Sequence, residues 1–104
     1  MSEAAKKYRS AVVERVQSGD GHARAADRRA AFANVDVPAG ARALIDKVAK
    51  TAWKVTDEDV AAAKAAGVTE DQVFELAVCA AIGQASRQFD SAMAALDQAA
   101  KETP

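Results

Sequence analysis

Two copies of one short phrase constrain how the middle of this chain can fold: Val55-Thr56-Asp57-Glu58-Asp59-Val60 and Val68-Thr69-Glu70-Asp71-Gln72-Val73. Each reads as the start of a helix. A Thr hydroxyl at the N-cap accepts a hydrogen bond from one of the backbone N–H groups that lack an intrahelical partner. Asp59 or Gln72, three residues later, can reach back and complete a capping box, although Asp is short for that reach. The acids of each first turn also face the positive end of the helix dipole. Gly67 stands where the first of these helices must stop, at a position suited to positive φ. The pattern predicts a short helix over 57–66 running into a long one from Glu70 to about Lys101.

Further helices follow from caps and apolar spacing. Ser2 can cap a first helix with the stripe Ala5, Tyr8, Val12 and Val16, closed by Gly19-Asp20-Gly21. Residues 23–33 predict a second helix in which Phe32 is the only large apolar residue. Asn34 to Pro38 is a break, with Asp36 a possible cap and Pro38 tolerated in a first turn. A third helix over 39–54 carries Ala41, Leu44, Ile45, Val48 and Ala52 on one face. The inner stripe of the last helix is predicted as Phe74, Ala77, Ala81, Ala85, Phe89, Ala92 and Leu96. Residues 73–83, apolar except for Glu75, predict burial all round. Gly83 costs about 1 kcal/mol against Ala inside a helix, so it predicts a close backbone neighbour or a bend. No period-two pattern occurs. The chain is expected to be all-α, a single domain over 1–104.

Half the residues are apolar, but 28 of them are alanines. Alanine favours helix and buries little, whereas a buried Leu or Phe contributes about 1.5–3 kcal/mol. Tyr8, Phe32, Leu44, Ile45, Trp53, Phe74, Leu76, Ile82, Phe89 and Leu96 are the main large candidates for a core. So thin a stock predicts completion against further copies of the chain, through the last two helices. The net charge of −1 argues against an electrostatic grip on nucleic acid. It divides unevenly, +3 over residues 1–33 and −4 over 34–104. A single cysteine excludes an intrachain disulfide and suits a reducing cytoplasm. Without an apolar leader or a long apolar run, a cytoplasmic protein away from membranes is expected.

The run Ala65-Ala66-Gly67-Val68-Thr69-Glu70-Asp71-Gln72-Val73-Phe74-Glu75 resembles the carboxymuconolactone decarboxylase and AhpD-like alkylhydroperoxidase superfamily. There, too, a helix ends at Ala-Gly, a Thr or Ser caps the next, and a long Ala/Val helix begins. The resemblance covers residues 38–99, implies an AhpD-like core over 36–104, and leaves the helical segment 1–35 outside. It implies a homo-oligomer, a trimer or hexamer. In the peroxidase members the preceding helix carries Cys-x-x-Cys and, three residues on, His; a low-pKa thiolate attacks peroxide and a second thiol resolves it. The matching positions here are Ala52, Val55 and Asp59, so dithiol chemistry is absent. The decarboxylase branch works by acid–base chemistry on a lactone, and none of its functional residues can be matched. These features point to a non-catalytic oligomeric binding or assembly module. The alternative is a peroxide-reducing or lactone-decarboxylase-like enzyme using Cys79, Glu75 or both.

Cys79 and Glu75, one turn apart on the last helix, are the candidate catalytic residues. Cys79 reads as a small buried hydrophobe; the functional alternative is a single-cysteine redox site with Glu75 as proton acceptor. A neighbouring carboxylate opposes thiolate formation. Glu75, a carboxylate in an apolar run, predicts a structural pairing with Arg or Lys from the N-terminal segment or another protomer; pocket chemistry is the alternative. His22, the only histidine, reads as an exposed loop residue, since metal binding needs ligands its neighbours do not supply. No cofactor or metal is therefore expected. Arg24, Arg28 and Arg29 read as a solvated basic edge or an ion-pairing surface between subunits. Trp53 reads as a core or interface anchor, and Asp57-Glu58-Asp59 as capping acids rather than a calcium loop.

Overall fold

A computed structural model describes residues 2–102. It consists of α1 (Glu3–Ser18), α2 (Ala25–Ala33), α3 (Arg42–Thr51), α4 (Asp57–Ala65) and α5 (Glu70–Glu102), with single 3-10 turns at Ala39–Ala41 and Ala52–Lys54 flanking α3. No strand occurs among the described residues, so the fold is all-α. No helix among them is long and apolar enough to cross a membrane.

Both capping boxes form. Thr56 Oγ1 accepts from the Asp59 N–H and Asp59 Oδ2 accepts from the Thr56 N–H at 2.9 Å, so Asp reaches after all. Thr69 and Gln72 make the same reciprocal pair at 3.2 and 3.0 Å. Between them Gly67, at φ 95°, closes α4. Its N–H donates to Lys64 O and that of Val68 to Ala63 O, a Schellman turn. Asn34, at φ 55°, closes α2 in the same way, through bonds to Ala31 O and from Val35 to Ala30 O. Asp36 caps nothing; at φ 58° it turns the chain, and Pro38 opens the turn before α3.

α5 is the spine. α2 and α3 pack on its first half, and α1 runs antiparallel beside it, with Val16 near Cys79 and Arg9 near Ser86 and Asp90. Gly83 marks the closest approach: a Cβ there would overlap the Phe32 carbonyl of α2, so the close neighbour, not a bend, explains this glycine. Ile45 and Cys79 are the largest fully buried side chains, joined by Val37, Leu44, Leu76 and several alanines. This core is thin. The radius of gyration, 15.9 Å, exceeds the ~13 Å usual for a domain near this length, because α5 extends well past its neighbours.

Two predicted stripes are wrong in phase. On α1 the inward face is Arg9, Val13, Val16 and Gln17, leaving Tyr8 and Val12 exposed. On α5 the buried residues are Leu76, Cys79, Ala80 and Gly83. Phe74, Phe89 and Leu96 are 69, 40 and 60 % exposed, so residues 73–83 are not buried all round. The physical reason is Gly83: α2 packs where the side-chain ridge is lowest, which turns the larger residues outward. Trp53, 79 % exposed, is no core anchor, and Ala49 rather than Ala52 completes the inner face of α3.

Candidate functional site

Glu75 and His22 meet at a groove formed by the end of α1, the α1–α2 loop and the first turns of α5. Both Glu75 oxygens lie within hydrogen-bonding distance of the His22 N–H, at 2.9 and 2.7 Å, and Oε1 accepts from the Ala23 N–H at 3.2 Å. The His22 ring contributes Nδ1, 3.0 Å from Oε2, and its Nε2 lies 3.7 Å from Asp71, one turn earlier on α5. Gln72 adds a bond to the His22 carbonyl at 3.3 Å. Glu75 is thus paired with the N-terminal segment, as expected, but through backbone amides and a histidine rather than through Arg or Lys. Burial pushes its carboxyl up, yet the amide bonds from His22 and Ala23 and the imidazole outweigh that and hold it below the ordinary glutamate range.

Cys79 lies one turn further along and is buried. Its thiol donates to the Val16 carbonyl at 3.0 Å, stitching α1 to α5. Burial pushes the thiol up; Arg28 pulls it back, and Glu75 adds to the rise. A buried, bonded thiol held in its neutral form is a poor nucleophile.

The groove has a volume of about 760 Å³ and is lined by Val16, Phe74 and Val78 beside the charged Arg15, Arg28, Asp20, Asp71 and Glu75. The sequence pattern missed Arg28. It does not belong to a basic edge: it is only 6 % exposed, its Nη1 donates to Gly19 O at 2.6 Å, and its Nε is buried without a partner. The one available signal was its spacing, three residues before the buried Ala31 on the same helix face. Of its neighbours, Arg24 pairs with Asp27 and Arg29 is exposed. His22, 68 % exposed in its side chain, is a loop histidine as expected, but it is a bonded one.

The positions matching the peroxidase motif serve the scaffold. Ala52 opens a 3-10 turn, and Val55 closes it. Asp59 binds Lys47 Nζ at 2.8 Å besides its capping bonds, and these contacts hold its carboxyl low. Among the described residues, no group of three or more His, Cys, Asp or Glu side chains is arranged to hold a metal ion. In comparisons with known proteins the chain matches no family model, no curated protein and no solved structure.

Proposed function

We propose that this chain is a non-catalytic binding and assembly module, kin to the AhpD-like superfamily in its core, that self-associates through the outer face of α5. The observation that carries the reading is a seam. Ile82, Ala85, Phe89, Ala92 and Leu96 recur at alternating spacings of three and four, the heptad rhythm of a helix that pairs with another. From Ala85 onward these residues are exposed, on the side of α5 away from its buried face.

The seam alternates large and small, and that selects an orientation. A parallel pair would set Phe89 against Phe89 and Ala92 against Ala92, crowding one layer and leaving a void in the next. An antiparallel pair sets Phe89 opposite Ala92 and Leu96 opposite Ala85, about a two-fold axis passing between Asp90 and Ser91, so that every layer fills. Gln88, Met93 and Ala95 flank the seam without charge. A two-fold pairing is compatible with a hexamer made of three dimers, and not with a trimer held on this face. The bonding of Glu75 and Cys79 supports the non-catalytic part. Sedimentation velocity tests the reading: wild type should form dimers or a multiple of dimers at high micromolar concentration. Leu96→Glu should be monomeric with unchanged helicity.

A second reading, an acid–base enzyme, is favoured by the His22–Glu75 contact at the edge of an open groove. Turnover of a lactone that is lost on His22→Ala would establish it.

A further inference from the structure

We propose that the groove between α1, the α1–α2 loop and α5 binds a small monocarboxylate with an apolar body, its carboxylate held by Arg28. This goes beyond the assembly reading and does not depend on it.

A guanidinium withdrawn from water is stable only when its charge and its donors are met. Arg28 is 6 % exposed, yet it has no ion-pair partner among the described residues. Glu75, which lines the same groove, spends its oxygens on the His22 and Ala23 amides. One Arg28 nitrogen reaches the Gly19 carbonyl, Nε has nothing, and Nη2 makes no hydrogen bond although it is not enclosed. Nε is enclosed, so Nη2 is the donor left to the groove that Arg28 lines. The other arginines that line grooves here are engaged as well: Arg15 with the Asp20 carbonyl, Arg42 with the Val37 carbonyl, Arg9 with Asp90 and Arg87 with the Phe32 carbonyl.

The surroundings define the ligand. Val16, Phe74 and Val78 offer an apolar wall, and Phe74 stands 69 % exposed with nothing of its own chain to cover it. The volume, about 760 Å³, lies within the 300–1,000 Å³ typical of small-molecule sites. Asp20, Asp71 and Glu75 share the lining with two arginines, which sets a repulsive field against a multiply charged anion. A single carboxylate can pair with Arg28 through a charge-assisted bond from Nη2 without adding a second negative charge.

The test uses 3-phenylpropionate, with 3-phenylpropanol as its neutral isostere and phenyl phosphate as a dianion, titrated into the ¹⁵N-labelled full chain. The expected result is saturable chemical-shift change confined to Gly21, His22, Arg28, Phe74 and Val78. Phenylpropionate should bind at least about tenfold more tightly than the alcohol, the factor expected of one charge-assisted hydrogen-bonded pair. It should also bind more tightly than phenyl phosphate. Arg28→Gln should lower affinity about tenfold, because the guanidinium charge is lost. Phe74→Ala, at an exposed position that leaves the fold intact, should also weaken binding, and so keeps a test if the Arg28 variant does not fold. Equal binding of the alcohol, tighter binding of the phosphate, shifts scattered over the surface, or no saturation at millimolar concentration would each overturn the proposal.

Discussion

Glu75 holds the loop before α2 to the spine of the protein: both of its carboxylate oxygens receive the backbone N–H of His22, fifty-three residues earlier in the chain. The same carboxylate accepts from Ala23 and touches the His22 ring. One acid in an apolar run thus fixes where the N-terminal segment docks.

Removing that anchor should cost stability. Glu75→Ala leaves two amides near the helix α2 entrance without their acceptor, a loss of about 1–3 kcal/mol. Glu75→Gln keeps one acceptor oxygen and should lose less. Urea unfolding followed by circular dichroism measures both, and the order Ala worse than Gln is the expected outcome.

Acid should unfold the protein through the same contacts. The carboxyls of Glu75, Asp59, Asp46 and Asp90 are all held below their ordinary values in the folded state. For Asp59 and Asp90 the main causes are the bonds to Lys47 and Arg9; for Asp46 it is the bond from Asn34. A depressed folded pKa gives stability that is full above the unfolded value, about 3.9–4.3, and lost as pH falls through the folded value. Unfolding free energy should be level between pH 6 and 5 and fall below about 4, with Glu75→Gln showing a shallower acid limb.

Gly83→Ala should destabilise despite the better helix propensity of alanine. The added methyl meets the Phe32 carbonyl, which is backbone and itself receives the Arg87 guanidinium at 2.6 Å. Overpacking at such a contact costs about 1–3 kcal/mol, more than the roughly 1 kcal/mol gained in propensity. A lower melting temperature for Gly83→Ala is expected, and a higher one would mean that α2 and α5 are further apart than described.

Cys79 should behave as a packing residue. Its thiol is buried, bonded to the Val16 carbonyl and raised in pKa by burial, so alkylation should be slow in the native state and fast in urea. Cys79→Ala should cost about 1 kcal/mol and change no peroxide consumption. Rapid native alkylation near neutral pH, with peroxide turnover lost in Cys79→Ser, would sink the non-catalytic reading.

Local signals were the legible part of this fold. Thr56, Thr69 and Gly67 act through bonds to residues three to five away, so their sequence neighbourhood contains the whole cause. The faces of α1 and α5 were not legible, because alanine is apolar at every angle around a helix and leaves its phase to whatever packs closest. Gly83 set that phase, and its effect on Phe74, Phe89 and Leu96 needs three dimensions to see. At the site, the burial of Glu75 beside the N-terminal segment was readable from its position in an apolar run. Arg28 was hidden for the opposite reason: in a segment with Arg24 and Arg29, a buried arginine looks like its exposed neighbours.

The central claim is the antiparallel pairing of α5, and one distance tests it. A nitroxide on Lys101→Cys, in the Cys79→Ala background, can be read by pulsed dipolar spectroscopy at high protein concentration. In the antiparallel pair the two labels sit on opposite sides of the two-fold axis near Asp90, about 30 Å apart at ~1.5 Å of rise per residue. That distance, abolished by Leu96→Glu, is the result this account predicts. Labels within the roughly 8–10 Å interaxial spacing plus linkers would mean a parallel pair, and no dipolar signal at all would mean that α5 meets no second copy.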